Sequence, residues 1–355
     1  MRTGGRADGR TGGAQLALLP GGPGVPLPLL DQRARGTEFR RLPVRSALNS
    51  PASTGMRFWS LNPYVGCEFG CSYCYARDTH KWAVERATAG PEPDAHGPPR
   101  SARGDGRSDP FERLILVKSE LATVLRRTLD PARVGKATIL IGTATDPYQP
   151  AERQFQVTRE VLEALLPYRN LSIAITTKSS LVTRDIDVLL RLSERHDIRV
   201  NLSLASTDAE LIRLLEPRTP LPHARLRALS ALTRAGVRAG VLIAPILPGL
   251  TDSWPSLAAV MEAAKAAGAH TVHGSALRLG PVARPRLLAL LRREFPDLAR
   301  RYEAHYANRA NARREYTRAL ARRIRLLRGV YGFAEPPDEP DTPAARSTGD
   351  LIAAL

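Results

Sequence analysis

Three cysteines, Cys67, Cys71 and Cys74, are the only ones in the 355 residues, and they stand together in the run NPYVGCEFGCSYCYAR over 62–77. Three thiols cannot close a disulfide framework, and clustered thiols in a cysteine-poor chain point to a metal. The spacing C-x3-C-x2-C arranges three thiolates around one concave loop. Gly66 and Gly70 let that backbone fold tightly and aim amides at sulfur. A cubane [4Fe–4S] cluster takes four ligands, so three from this loop leave one iron open to an exogenous ligand. Two other readings stand beside it. One is a zinc site completed by His80, although zinc loops usually come as C-x2-C pairs. The other is a chance spacing of ordinary buried cysteines.

Such a loop needs a scaffold, and the apolar patterning supplies one. Short β-branched runs at 56–64, 137–145, 171–179, 198–206, 237–245 and 271–279 read as strands buried on both faces of a parallel sheet. Between them, 119–129, 154–167, 183–195, 223–236 and 252–268 carry Leu and Val at helical spacing. Gly236 and Gly268 stand where helix C-caps belong. The alternation predicts an α/β fold, a partial (β/α)6 TIM-like barrel, with chemistry at the C-terminal ends of its strands. The loop follows the first strand, where that rule requires it.

The remaining segments divide the chain. Residues 1–35, rich in Gly, Pro and Arg, read as a disordered arm, and 36–51 as ordered but irregular. The barrel is expected over 36–295, with a mobile insertion at 87–110. An Arg-rich helical extension follows over 296–333, with a break at Pro296, and a Pro-rich tail over 334–355. A hydrophobic share of 43% supports a real core. No apolar run is long enough for a transmembrane helix, and the N-terminal apolar patch is too short and interrupted for a secretory signal. A cytoplasmic, membrane-free protein is the expectation. The net charge of +17 is nearly all Arg, a bias that a GC-rich genome gives without selection, but it would also draw the chain to DNA or RNA.

The cysteine spacing, with an aromatic before the last Cys, resembles the signature of the radical S-adenosylmethionine (radical SAM) superfamily. GTATDPYQPAE (142–152), TTKSSLVTRDIDVL (176–189), SLASTD (203–208), LEPRTPLPHARLRAL (215–229) and APILPGLTD (244–252) resemble, in order, the repair photolyases related to spore photoproduct lyase. The resemblance covers about 40–295. It implies a [4Fe–4S] cluster on Cys67, Cys71 and Cys74, with S-adenosylmethionine chelating the open iron. One electron from a flavodoxin- or ferredoxin-type donor would release a 5′-deoxyadenosyl radical that abstracts hydrogen from a substrate.

The resemblance also implies roles. Tyr73 lines the adenine side, and Thr143, Thr145 and Asp146 hold the methionine amino group, unless Thr-Asp-Pro is only turn chemistry. Lys178 suits the methionine carboxylate or a substrate anion, its alternative being a solvated loop lysine. Ser203 and Ser206 suit ribose or carboxylate contacts, with sheet packing as the alternative. Backbone near Pro245 meets adenine. Glu216 and Arg218 either bind ligand or pair with each other, and Gln149 faces cofactor or substrate. Asp252 reads as a helix N-cap, and His270 and His273 as structural. Spore photoproduct lyase uses an additional cysteine as hydrogen donor, and this chain has none to spare. Tyr75, Tyr148 or re-used 5′-deoxyadenosine would take that part. The chain is expected to be a radical enzyme on an unassigned substrate, nucleic acid among the candidates. A spore-type repair lyase and a nucleic-acid-binding protein with a structural cluster are the alternatives.

Overall fold

The computed structural model describes residues 27–33, 36–80 and 109–334. Strands β1 (Leu29–Gln32), β2 (Glu38–Arg41), β3 (Trp59–Leu61), β4 (Tyr64–Val65), β5 (Leu114–Val117), β6 (Thr138–Ile141), β7 (Ser172–Thr177), β8 (Asp197–Ser203), β9 (Ala239–Ile246) and β10 (Val272–Ala276) form two sheets. The main sheet has the order β10-β9-β8-β7-β6-β3, and every pair in it is parallel. Each of its strands falls on one of the six runs singled out above, with β8 starting one residue before its run and β9 ending one residue after. The runs TILI, SIAITT and AGVLIAPI are nearly buried throughout, as strands covered on both faces must be. The result is a six-stranded partial barrel.

Helices fill the connections, with breaks that local chemistry explains. The helix expected over 154–167 is two, Glu152–Phe155 and Val157–Leu165, because Gln156 takes a positive φ of 50°. The segment expected at 183–195 begins as a 3-10 turn over Ser180–Asp185, capped by Ser179, before the helix Ile186–Ser193. Helices Pro222–Arg234 and Trp254–Ala266 end just before Gly236 and Gly268, whose φ values of 91° and 80° suit a left-handed stop. Ser253, not Asp252, caps the latter helix by accepting from Ser256 N at 3.2 Å. Asp252 instead accepts from Gly249 N and from the Tyr316 hydroxyl at 2.8 and 2.9 Å.

The second sheet, β1-β2-β5-β4, was not expected. It draws β1 from the segment read as an arm and β2 from the segment read as irregular. Residues 1–26 and 34–35 of the expected arm, 87–108 of the expected insertion and 335–355 of the tail lie outside the described residues. Asp109 and Pro110, also assigned to the insertion, start the helix Pro110–Arg113. In the C-terminal segment Pro296 does divide two helices, Arg284–Glu294 and Pro296–Tyr306, and a third, Arg314–Val330, follows. That last helix packs on β10 and on Trp254–Ala266, burying Leu320, Ile324 and Leu327 while most of its arginines face outward. No helix among the described residues is long and apolar enough to cross a membrane.

Candidate active site

The cysteine loop begins where β4 leaves the small sheet. Gly66, at φ 81°, is packed so closely that a Cβ would lie 2.6 Å from Leu114 O, so only glycine fits there. Backbone bonds then pin the loop: Cys67 N donates to Phe111 O and Ser72 N to Leu215 O, both at 2.9 Å. Gln149 spans the turn, accepting from Glu68 N at 3.0 Å and donating to Gly66 O at 3.1 Å.

Arginines grip the loop's carbonyls. Arg218 donates to Glu68 O, Arg286 to Gly70 O at 3.4 Å and Arg77 to Cys71 O at 3.5 Å. The same three converge on one buried carboxylate, Glu112, with Arg77 at 2.5 Å and Arg286 at 2.6 Å. Although burial pushes Glu112 up, Arg286, Arg218 and Arg77 hold its carboxyl below the ordinary range. Arg33 pairs with the Glu68 side chain.

All three cysteines line one cavity of about 170 Å³, which also meets the C-terminal ends of β6, β7, β8, β9 and β10. Burial pushes each thiol up; Asp146 and Cys74 raise Cys67 further, and Glu216, Cys74 and Cys67 raise Cys71. The amides of Phe69 and Asp146 point at the Cys67 sulfur and that of Ala76 at Cys74, and these favour thiolate. Two buried thiols and the half-buried Cys74, with amides aimed at Cys67 and Cys74, form a donor set that iron would hold as thiolates. Thr176 Oγ1 on the same wall is buried with no partner, as a group awaiting a ligand would be. Among the described residues no group of three His, Cys, Asp or Glu side chains is arranged to hold a single metal ion, but the thiols and the free hydroxyl on one cavity wall are chemically suited to a cluster and a polar ligand.

A family model, the radical SAM superfamily, matches residues 61–261. This chain belongs to that superfamily. An uncharacterised protein of Mycobacterium tuberculosis is 32% identical over 314 residues, covering 87% of this chain and 86% of that one. An uncharacterised protein of Methanocaldococcus jannaschii is 26% identical over 61% of this chain and 70% of that one. Among solved structures, a spore photoproduct lyase mutant aligns with a TM-score of 0.56 over 82% of this chain and 79% of that one, at 16% identity. Another, with bound AdoMet and dinucleoside spore photoproduct, aligns at 0.55 over 77% and 74%, at 15% identity. The fold of this radical SAM protein is thus shared with spore photoproduct lyase.

Within that frame most of the expected residues meet. Tyr73, Tyr75, Thr143, Thr145, Asp146, Lys178, Ser203 and Pro245 all line the cysteine cavity. Their free valences are fewer than the sequence suggests. Thr143 Oγ1 is 2.7 Å from Ser60 Oγ and accepts from Asn62 Nδ2 at 2.8 Å, while Thr145 Oγ1 donates to Tyr64 O at 3.2 Å. Asp146 accepts from Thr177 Oγ1, Lys178 N and Tyr148 N at 2.6, 2.7 and 2.9 Å. Burial pushes its carboxyl up, and those bonds pull it back. Lys178 Nζ donates to Ser203 Oγ at 2.6 Å, and Ser203 Oγ to Ala244 O at 3.0 Å. The Tyr75 hydroxyl donates to Thr143 O.

Other expected residues lie elsewhere. Tyr148 is fully buried but outside this cavity, lining a neighbouring one. Arg218 does not face the cavity either, because it is spent on Glu68 O and Glu112. Glu216 and Arg218 do not pair with each other. Glu216 instead accepts from Tyr73 and Arg225 and lies 3.5 Å from Lys178 Nζ, while Arg225 donates to Ser203 O at 2.9 Å. Burial works against the Glu216 charge, but Arg225 and Lys178 hold its carboxyl at about 2. Ser206 serves a turn, accepting from Asp208 N at 3.1 Å. His80 is buried and accepts from Gly66 N at 3.5 Å, and burial with Lys118 nearby depresses it to about 3. His270 bonds Ala239 O, and His273 lies outside the cavity, depressed to about 4 by burial and by Arg328 and Arg199.

Sequence reasoning missed Asn62, Thr176, Arg225 and Arg278. Asn62 Oδ1 accepts from Ala144 N at 2.8 Å and so joins the cluster strand to the β6 loop. Thr176 was within reach: it sits two residues before Lys178, and a strand puts such positions on one face. Arg278, past the end of β10, lines the cavity.

Proposed function

We propose that this radical SAM protein is an enzyme holding a [4Fe–4S] cluster on Cys67, Cys71 and Cys74, with S-adenosylmethionine in the cavity beside it. One observation carries the reading: the three cysteines share a single cavity with opposite charges at the strand ends, Asp146 after β6 and Lys178 after β7. An amino acid zwitterion suits that pair, its ammonium toward Asp146 and its carboxylate toward Lys178. When bound, cluster and S-adenosylmethionine supply a 5′-deoxyadenosyl radical as the hydrogen-abstracting agent.

The chain's own residues orient and enclose. Glu216 fixes both the Tyr73 hydroxyl and the Lys178 ammonium, so the cluster loop and the carboxylate-binding cation are held by one group. Thr176 Oγ1 offers an unspent hydrogen bond, and Leu242, Ala244 and Pro245 give an apolar wall for a flat ring. Of the two candidate tyrosine donors, Tyr75 lines the cysteine cavity and Tyr148 does not, which supports Tyr75 in returning a hydrogen atom. Anaerobic reconstitution with iron and sulfide tests the cluster. The unaltered chain is expected to bind about four irons and show a broad band at the blue end of the visible, and Cys71→Ala to lose both. Equal iron and absorbance in the two would overturn the assignment.

A further inference from the structure

Beside the cysteine cavity lies a second hollow of about 690 Å³, lined by Arg33, Arg153 and Arg218 and by Phe69 of the cluster loop. Phe69 lines both hollows, so this one side chain is common to the cysteine cavity and the basic one. An adjoining hollow continues the surface past Arg113 and shares Arg33 and Arg218 with it. The arginines reach solvent: the Arg218 side chain is 48% exposed and that of Arg33 36%. Arg153 is exposed and makes no ion pair among the described residues. The acids on this wall, Glu68 and Glu112, are buried and already held by arginines. The face turned outward is positive.

We propose that this hollow is the docking surface for an acidic one-electron carrier protein of the flavodoxin type, which reduces the cluster past Phe69. The proposal rests on the cluster reading given above. The carrier is oxidised by one electron and the cluster reduced by one, with no bond made or broken. Two features favour a protein over a small anion. The charges come from three separate parts of the chain, the loop after β1, the helix Glu152–Phe155 and the loop before Pro222–Arg234, and two of them are also engaged with Glu68 and Glu112. Such a rim steers a broad negative surface, raising the rate of encounter more than the affinity. Transient redox encounters also have the smallest interfaces, so such a docking surface need not be extensive.

The test is anaerobic stopped-flow reduction of the reconstituted full chain by a reduced bacterial flavodoxin, with dithionite in parallel. Arg153→Glu is compared with Arg234→Glu, an exposed arginine in the last turn of Pro222–Arg234. At low ionic strength Arg153→Glu is expected to slow the flavodoxin reaction about tenfold, and high salt to erase the difference. Arg234→Glu should change it little, and dithionite should reduce all three alike. Equal slowing in both variants, or a salt-independent rate, overturns the docking surface while leaving the cluster in place. A chain that dithionite cannot reduce overturns the cluster reading, and docking with it.

Discussion

Glu216 shows how much of the site depends on one buried group. It sits at no strand end of the main sheet, yet it touches the cluster loop through Tyr73, β7 through Lys178 and β8 through Arg225. Its carboxyl titrates at about 2 in the folded chain against an ordinary 4.5. Between those values the unfolded chain binds a proton that the folded chain does not, so Glu216 stabilises the fold above pH 4.5 and that contribution fades toward pH 2. Glu216→Gln leaves Arg225 buried without its charge partner, which should cost about 3–5 kcal/mol at pH 7. Thermal unfolding from pH 7 to 3 should then fall more steeply for the unaltered chain than for the variant. Parallel curves would show that Glu216 does not carry the charge balance described. Glu216 was legible as a candidate but its partners were not: Tyr73 lies 143 residues away, and only packing brings them together. The cysteines were legible for the opposite reason, since their chemistry depends on local spacing.

At the scale of elements, the main sheet could be read in advance and the small one could not. A strand buried on both faces leaves a run such as ILI or IAI that local composition exposes. Strands β1 and β4, with four residues and two, leave no such trace, and β2 pairs with β5 across more than seventy positions of chain. Yet β4 and β5 hold the loop from which the cysteines hang. The turn after β6 is similarly exacting. Gly142, at φ 95°, would place a Cβ 2.5 Å from Thr176 O and 2.7 Å from Pro147 Cδ. Gly142→Ala must therefore displace the turn that carries Thr143, Thr145 and Asp146. Its expected effects are a loss of about 1–3 kcal/mol of stability and weaker S-adenosylmethionine binding. Calorimetry on the reconstituted chain checks both, and an unchanged affinity would separate this turn from the cofactor.

Across the whole molecule, the barrel is covered at its β10 edge by a helix of the C-terminal extension, whose Leu and Ile face reads in the sequence as one that packs over the barrel. Ile324 of that helix is 6% exposed and would meet a Cβ at Gly274 at 2.7 Å, so strand and helix touch closely. Ile324→Ala should cost about 2–5 kcal/mol of global stability, measurable by urea unfolding. A negligible change would mean that the helix is an appendage after all. The charge of +17 also gains a location: arginines that the composition could only count gather around the cluster loop and along the outer face of this helix.

The most direct test of the account is the yield of 5′-deoxyadenosine when the reconstituted chain is given S-adenosylmethionine and dithionite without oxygen. The account predicts 5′-deoxyadenosine and methionine in equal amounts from the unaltered chain and neither from Cys71→Ala. A fully loaded cluster that yields no 5′-deoxyadenosine, or equal yields from the two chains, would contradict it.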